Sequence, residues 1–436
     1  AGSVRVFEYG TSANLTGWSQ LGGDIDGVAQ SDNFGSAVAM SSDGNRIVVG
    51  APYRDFSTET EMYPGMEHYS YTYTNTISDA GSVRVFEYGT SANLTGWAQV
   101  GGDIDGVVSN SNSMYSGEGF GSAVAMSADG NRIVVGAFST SYQADNTVRV
   151  YELGTSANPT NWTMMGSDIK LSGSTDYMYY SSGGNNIGAS SDCTRVVVAF
   201  SASSYSSDKM VGMFEYGTTA SPSDWSQIGT NMTGEGNEQF GSAVSMSADG
   251  DRVVIGARGG DVTGDAGNYF GKFYDVGFVR VMHYGTAANP SDWSQIGVDV
   301  FGEAQNDQFG SLVALSGDGN RVAVAAPNND PSSQQAGHVR VLVTACVENA
   351  YVSDGACVAC TPGSTNEAGD VLTQVDTVCD VAYCAAYEHV SNHTCVSCPV
   401  GSSNAPGDDP TGDDTDCDPL ICGENYRVFS HGCLAC

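Results

Sequence analysis

The run Phe34-Gly35-Ser36-Ala37-Val38-Ala39-Met40-Ser41-Ser42-Asp43-Gly44-Asn45-Arg46-Ile47-Val48-Val49-Gly50-Ala51-Pro52 reads as two short strands joined by a turn. Ser36 to Met40 is the first strand, and Ile47-Val48-Val49 lies in the second. Asp43-Gly44 between them suits a tight hairpin, because glycine accepts a positive φ at little cost. The Ile-Val-Val run is apolar without alternation, which predicts a strand buried on both faces. The same turn returns at Asp129-Gly130, Asp249-Gly250 and Asp318-Gly319, and a second clear copy of the whole run spans Phe309-Gly310 to Ala325-Ala326-Pro327.

Outward from this run, each unit adds a Val-Arg-Val strand and a strand around Trp-Ser-Gln. Val-Arg-Val begins at Val4, Val83, Val148, Val279 and Val339, with a weaker copy at Val211-Gly212-Met213. The tryptophans Trp18, Trp97, Trp162, Trp225 and Trp293 fall once per unit. Every candidate strand is short and rich in β-branched or aromatic residues, with Gly, Asp, Asn and Ser between strands. Four-stranded units repeated along a chain predict an all-β protein, a β-propeller. The third unit is degenerate: it reads Asn186-Ile187-Gly188 to Ala199-Phe200, and Cys193 stands where the others place the turn glycine.

Phe-Gly followed by Gly-Ala-Pro resembles the FG-GAP repeat of the integrin α-subunit propeller, over roughly residues 1–343. The resemblance implies a seven-bladed ring with one blade completed from the other chain end. Fewer units are visible: two strands, four full blades and three strands of a last one. The resemblance also implies calcium loops of the form Asp-x-Asp-x-Asp-Gly-x-x-Asp, but this chain keeps only Ser-x-Asp-Gly-Asn-Arg, as at Ser41 to Arg46. One carboxylate per hairpin falls short of the six to eight oxygen ligands that calcium prefers, so the turn reading is favoured. No cofactor is required; calcium stays open without support from the loop motifs.

The chain has 436 residues, with 16 basic and 50 acidic side chains and a formal charge of −34. So acidic a surface repels phosphate backbones and anionic lipid, which argues against nucleic-acid and membrane partners. There is no apolar run long enough for a transmembrane helix. Cys193 is the one cysteine before Cys346, whereas the region from Cys346 to Cys436 holds the other eleven of the 12. That density implies disulfides and an oxidising compartment.

These cysteines repeat as Cys-x10-Cys-x2-Cys-x18-Cys-x4, giving modules at 346–383 and 384–421 and the start of a third at 422–436. Cys360-Thr361-Pro362-Gly363-Ser364 and Cys398-Pro399-Val400-Gly401-Ser402 resemble the small modules of tumour-necrosis-factor receptors and ephrin receptors. Cys-x2-Cys also begins zinc sites, but the oxidising context and the lack of paired knuckles within one module favour disulfides. The preferred pairing is Cys346–Cys357, Cys360–Cys379, Cys384–Cys395, Cys398–Cys417 and Cys422–Cys433, which the sequence by itself does not prove. It leaves Cys436 without a partner, and Cys193 as a free or intermolecular thiol at a hairpin tip. The chain begins inside one repeat and stops inside another, so a longer parent with a rod-like stalk of modules is expected.

Candidate sites are few. Asp408, Asp409, Asp413, Asp414 and Asp416 form the best cation candidate, against the plainer reading of a solvated acidic loop. Asp32, Glu238 and Asp307, just before Phe-Gly, are read as caps on loops. Sequons at Asn14, Asn93, Asn161, Asn231 and Asn392 are read as N-glycosylation sites, a motif that is weak until the chain is secreted. Tyr63, Tyr69, Tyr71 and Tyr73, with Tyr177, Tyr179 and Tyr180, lie in two aromatic loop insertions suited to binding or assembly. The histidines are scattered and no nucleophile, zinc or phosphate motif occurs, so no catalytic residue is assigned. The leading expectation is a non-enzymatic, extracellular structural or adhesion protein, a glycosylated subunit of a surface coat, appendage or filament. Its partners would be its own copies or other extracellular proteins. A receptor-like propeller for a protein or glycan ligand is the alternative, and a polysaccharide-active propeller enzyme a third reading.

Overall fold

The computed structural model describes the chain apart from residues 12–13, 62–71, 91–92, 108–116, 139–146, 156–157, 171–185, 202–208, 235–237, 264–271, 287–288, 330–335, 344–345, 347–348, 354–355 and 367–376. The chain divides into one unit of residues 1–295 and 299–342 and a second of 296–298 and 343–436. Among the described residues there are only strands and turns, and no helix long and apolar enough to cross a membrane.

The first unit is a β-propeller of five blades. The first blade orders Ala37–Met40, Arg46–Ala51, Ser82–Thr90 and Asn93–Gln99 as antiparallel neighbours, with Ile104–Asp105 added against Ser82–Thr90. The second is Phe120–Met126, Arg132–Ala137, Thr147–Thr155 and Asn158–Met164; the third is Ile187–Ala189, Arg195–Ser201, Lys209–Tyr216 and Trp225–Thr233. The fourth is Phe240–Met246, Arg252–Ala257, Phe278–Thr286 and Asn289–Phe301. The fifth has three strands, Leu312–Leu315, Arg321–Ala326 and His338–Val343. A hairpin of Phe7–Thr11 and Asn14–Gln20 stands ahead of the first blade, continued by Ser3–Val4 against Ile25–Asp26. The five blades agree with the units visible in the sequence, where the family resemblance implies seven.

Blades are joined by contacts that repeat. Ser42 N donates to Ala128 O at 2.9 Å, Ala128 N to Ser191 O at 2.6 Å, Ser191 N to Ala248 O at 2.8 Å and Ala248 N to Gly317 O at 2.8 Å, linking the hairpin tips of all five. Phe120 and Phe309, of the Phe-Gly pairs, are completely buried and bridge in parallel to Gly81 and Gly277 of the preceding blade. The need for glycine is steric. A Cβ on Gly50 would stand 2.0 Å from Gly121 O, and one on Gly256 would stand 2.0 Å from Gly310 O. Phe-Gly of one blade and Gly-Ala of the blade before are thus two halves of one close backbone crossing. The arginine of Val-Arg-Val lies over the motif phenylalanine: Arg84 over Phe34 at 4.4 Å, Arg149 over Phe120 at 5.6 Å, Arg280 over Phe240 at 5.2 Å and Arg340 over Phe309 at 5.1 Å. Such contacts contribute about 0.5–2 kcal/mol each.

The second unit repeats a small hairpin: Ala350–Ser353 with Ala356–Ala359, Glu388–Ser391 with Thr394–Ser397, and Tyr426–Phe429 with Gly432–Ala435. Its first apolar cluster is only Cys346, Ala350 and Val352. A core this small leaves the stabilisation to covalent links. Disulfides join Cys360 to Cys379, Cys384 to Cys395, Cys398 to Cys417 and Cys422 to Cys433. Cys346 is disulfide-bonded, and its expected partner Cys357 lies outside the residues whose side chains are described.

Candidate functional site

The repeated turn carboxylates are the first place to look for a ligand, and the scaffold uses them itself. Asp43 Oδ1 accepts from Ser41 Oγ at 2.6 Å and from Asn45 N at 3.0 Å, while Arg46 N donates to Ser41 Oγ at 2.9 Å. The Ser41 hydroxyl, then Asn45, hold its pKa down to about 2. Asp129, Asp192, Asp249 and Asp318 repeat the arrangement with Ser127, Ser190, Ser247 and Ser316. Arginines finish the turn across the blade boundary: Arg132 Nη1 donates to Asp192 O at 3.0 Å, and Arg252 Nη1 to Gly319 O at 3.2 Å. A carboxylate surrounded by N–H and O–H donors of its own turn is a structural acceptor.

The acids ahead of Phe-Gly are likewise engaged. Asp32 accepts from Ala29 N at 3.1 Å, and Asp307 from Glu303 N at 3.0 Å, Ala304 N at 2.8 Å and Asn329 Nδ2 at 3.0 Å. Glu238 also has interaction partners within the fold. Sequence reasoning did not single out Glu118 at the same position. It accepts from Val107 N at 2.8 Å and pairs with Arg149 Nη2 at 2.9 Å, and Arg149 Nε reaches Asp168 at 2.8 Å. Burial disfavours the Arg149 charge, but Glu118 and Asp168 outweigh it and hold the group above its ordinary pKa. Both signals were in the chain: an acid two residues before Phe-Gly, and the arginine of Val-Arg-Val.

Cys193, expected as a free or an intermolecular thiol at a hairpin tip, is a free thiol inside the fold. It is wholly buried among Val134, Phe138 and Val198, and burial pushes its pKa up to about 12. It keeps the turn's left-handed backbone, with φ 53° where Gly44 has 73° and Gly250 77°. The hairpin tip points a side chain into the neighbouring blade, a direction that glycine leaves unused elsewhere. Cys436 is free and exposed.

Among the described residues, the acidic tail loop brings no three carboxylates together. Asp408 accepts from Thr415 Oγ1 and from Asn404 Nδ2, Asp409 from Thr411 Oγ1 at 2.6 Å, and Asp414 from Asn392 N at 2.7 Å. No hydrogen bond of the Asp413 or Asp416 side chain joins this set among the described residues. Among the described residues, His389, Cys398 and Cys417 offer three ligand atoms within 4.8 Å of one another, but the two sulfurs are bonded to each other.

Of the sequons, Asn93 and Asn392 are exposed. Asn161 Oδ1 accepts from Gly102 N at 2.9 Å and Asn231 Oδ1 from Gln227 Nε2 at 2.8 Å, whereas the Asn14 side chain is outside the description. Tyr63, Tyr69, Tyr71, Tyr177, Tyr179 and Tyr180 fall outside the described residues, as does the side chain of Tyr73.

The fold therefore defines a β-propeller followed by small disulfide-bonded modules. Residues 26–63 match the family described as FG-GAP repeat. No curated protein matches the chain. Among solved structures, it is similar to a putative 6-phosphogluconolactonase from Bacteroides fragilis, at 12% identity and TM-score 0.36 over 78% of this chain and 89% of that one. It is also similar to the periplasmic gluconolactonase of Pseudomonas aeruginosa, at 13% identity and TM-score 0.32 over 87% and 94%. Hydrazine synthase of Kuenenia stuttgartiensis gives 12% identity and TM-score 0.33 over 70% and 78%.

Proposed function

We propose that this chain is a non-enzymatic extracellular structural or adhesion protein, a glycosylated subunit of a surface coat, appendage or filament. The observation that carries the reading is the division of polar chemistry. In the propeller, the recurring carboxylates serve the chain's own turns and loops. In the second unit, disulfides recur in tandem modules. A repeated scaffold with internally satisfied turns, followed by stapled repeats, serves extension and presentation. The oxidised cysteines favour an oxidising compartment, and N-linked glycan at the exposed Asn93 and Asn392 belongs to the same reading. Partners are other copies and other extracellular proteins.

Antibody labelling of intact source cells, joined to mass analysis before and after glycan removal, tests it. Surface label and a mass shift are the expected outcome. Label confined to permeabilised cells, with the paired cysteines of the modules, such as Cys384 and Cys395, alkylated without prior reduction, refutes the proposal.

A further inference from the structure

The second small module, residues 384–421, differs from its neighbours at one place in its hairpin. His389 stands opposite Val396 where Glu388–Ser391 pairs with Thr394–Ser397. The equivalent places hold Tyr351 opposite Val358 in the first module and Arg427 opposite Leu434 in the third. Zinc is taken by Cys, His, Asp and Glu, so neither a phenol nor a guanidinium serves it, whereas an imidazole does.

His389 Nδ1 lies 3.1 Å from Cys417 Sγ. Together with Cys398 Sγ, these ligand atoms fall within 4.8 Å of one another. In the oxidised chain the two sulfurs are bonded to each other, with their Cα atoms 5.8 Å apart. The backbone around them is also held by contacts that do not depend on that bond. Cys398 N donates to Tyr387 O at 2.7 Å, Thr415 N to Val390 O at 2.9 Å, and Val390 N to Thr415 Oγ1 at 2.8 Å, which ties the strand bearing His389 to the approaches to both cysteines. Cys384–Cys395 closes the same module separately. Asp408 is near enough to His389 for their charges to interact.

We propose that Cys398, Cys417 and His389 form a zinc site that the Cys398–Cys417 disulfide keeps closed. Reduction of that one bond frees two thiols beside an imidazole, in a module still held by its hairpin and its other disulfide. Thiolate sulfur and imidazole nitrogen are ligand types that zinc prefers, and three protein ligands leave a fourth position for water. The reductant is an external dithiol. Its first thiolate attacks the half-buried Cys417 Sγ and displaces Cys398, which is 4% exposed, as a thiolate. Its second thiolate then displaces Cys417 and closes the dithiol's own disulfide, so that two electrons and two protons pass to the cysteines. Zinc replaces those two protons with two sulfur bonds, and the His389 lone pair supplies a third ligand. Two thiolates and a neutral imidazole balance the charge of the ion, and Asp408 favours a cation further. The inference goes beyond the structural-subunit reading and stands independently of it: an oxidising compartment shuts the site, and a dithiol opens it.

The test treats the full chain with a dithiol under native conditions, removes the dithiol without air, and uses zinc alone as the probe. Iodoacetamide followed by peptide mapping reads each cysteine. Cys398 and Cys417 should become reactive while Cys384 and Cys395 stay paired. Zinc should then slow the alkylation of Cys398 and Cys417 and leave the exposed Cys436 as reactive as before. His389→Gln, shown to be folded by its melting transition, should hold zinc at least roughly tenfold more weakly, the loss usual even for a residue that stands behind a metal ligand. A dithiol that leaves Cys398–Cys417 closed in the folded chain overturns the proposal. So does zinc that fails to protect the opened pair, equal protection in folded His389→Gln, or equal protection of Cys360 and Cys379 in the first module, which has no histidine there. If His389→Gln does not fold, protection of the wild-type pair relative to Cys436 decides alone.

Discussion

Replacing Arg149 with methionine tests how the second blade is held. Its guanidinium and the Glu118 carboxylate are nearly sealed, with side chains 8% and 4% exposed, and Arg149 also lies over Phe120 at 5.6 Å. Arg149→Met keeps most of the volume but leaves the Glu118 carboxylate buried without its cation. Breaking a buried pair from one side costs about 3–5 kcal/mol. At roughly 2–4 °C per kcal/mol for a large domain, the propeller transition should fall by on the order of 10 °C. Arg280 supplies the internal control. It occupies the equivalent place in the fourth blade but pairs with Asp299 at side-chain exposures of 24% and 19%, where water shares the charge. Arg280→Met, which removes a more hydrated guanidinium, should therefore cost less than Arg149→Met. The double variant Glu118→Gln with Arg149→Met removes both charges and should recover most of the loss. Differential scanning calorimetry of the four proteins is the assay. Equal melting of Arg149→Met and Arg280→Met, or a double variant as unstable as the single, refutes the burial argument.

The close backbone crossing predicts that Gly256→Ala destabilises by about 1–3 kcal/mol or more, since its Cβ meets the Gly310 carbonyl at 2.0 Å. Gly136→Ala should cost less in the same melting assay, because its Cβ meets the ring of Phe138, which can turn aside. The turn carboxylates of Asp43, Asp129, Asp192, Asp249 and Asp318 are all held below the ordinary aspartate value, Asp43 at about 2, by the hydroxyl and N–H donors of their own turns. Folded-state values lower than unfolded ones stabilise above the unfolded pKa, and the contribution is lost as pH falls through the folded value. Near-UV circular dichroism should therefore hold steady down to about pH 4 and decay towards about pH 2; a transition near neutral pH contradicts the assignment. A thiol reagent at about pH 8 should modify Cys436 at once and Cys193 only after unfolding, which peptide mapping reads directly.

Much of the fold was legible because its signals are local. Asp43-Gly44 marks a hairpin, Ile47-Val48-Val49 a strand covered on both faces, and the recurrence of Trp and Val-Arg-Val marks the unit. What could not be read depends on residues far apart in sequence. Nothing near Gly50 says that the Gly121 carbonyl will pass over it, and nothing near Arg84 says that the Phe34 ring lies under it. Cys193 looked accessible because a hairpin tip is normally solvated; the adjacent blade covers it. The candidate site was less legible still. Three of the acidic residues that suggested cation binding, Asp408, Asp409 and Asp414, have hydrogen-bond partners set by the local fold, and their count in the sequence says nothing about those partners.

The same dependence explains where repeat identity stops being informative. Within the propeller, the resemblance between units is what lets Val83 seal against Phe120 and Val148 against Phe214, so residues at these positions are constrained by the next copy of themselves. Where the pattern breaks, as at Cys193 in place of a turn glycine, the substituted side chain is taken up by the neighbouring blade.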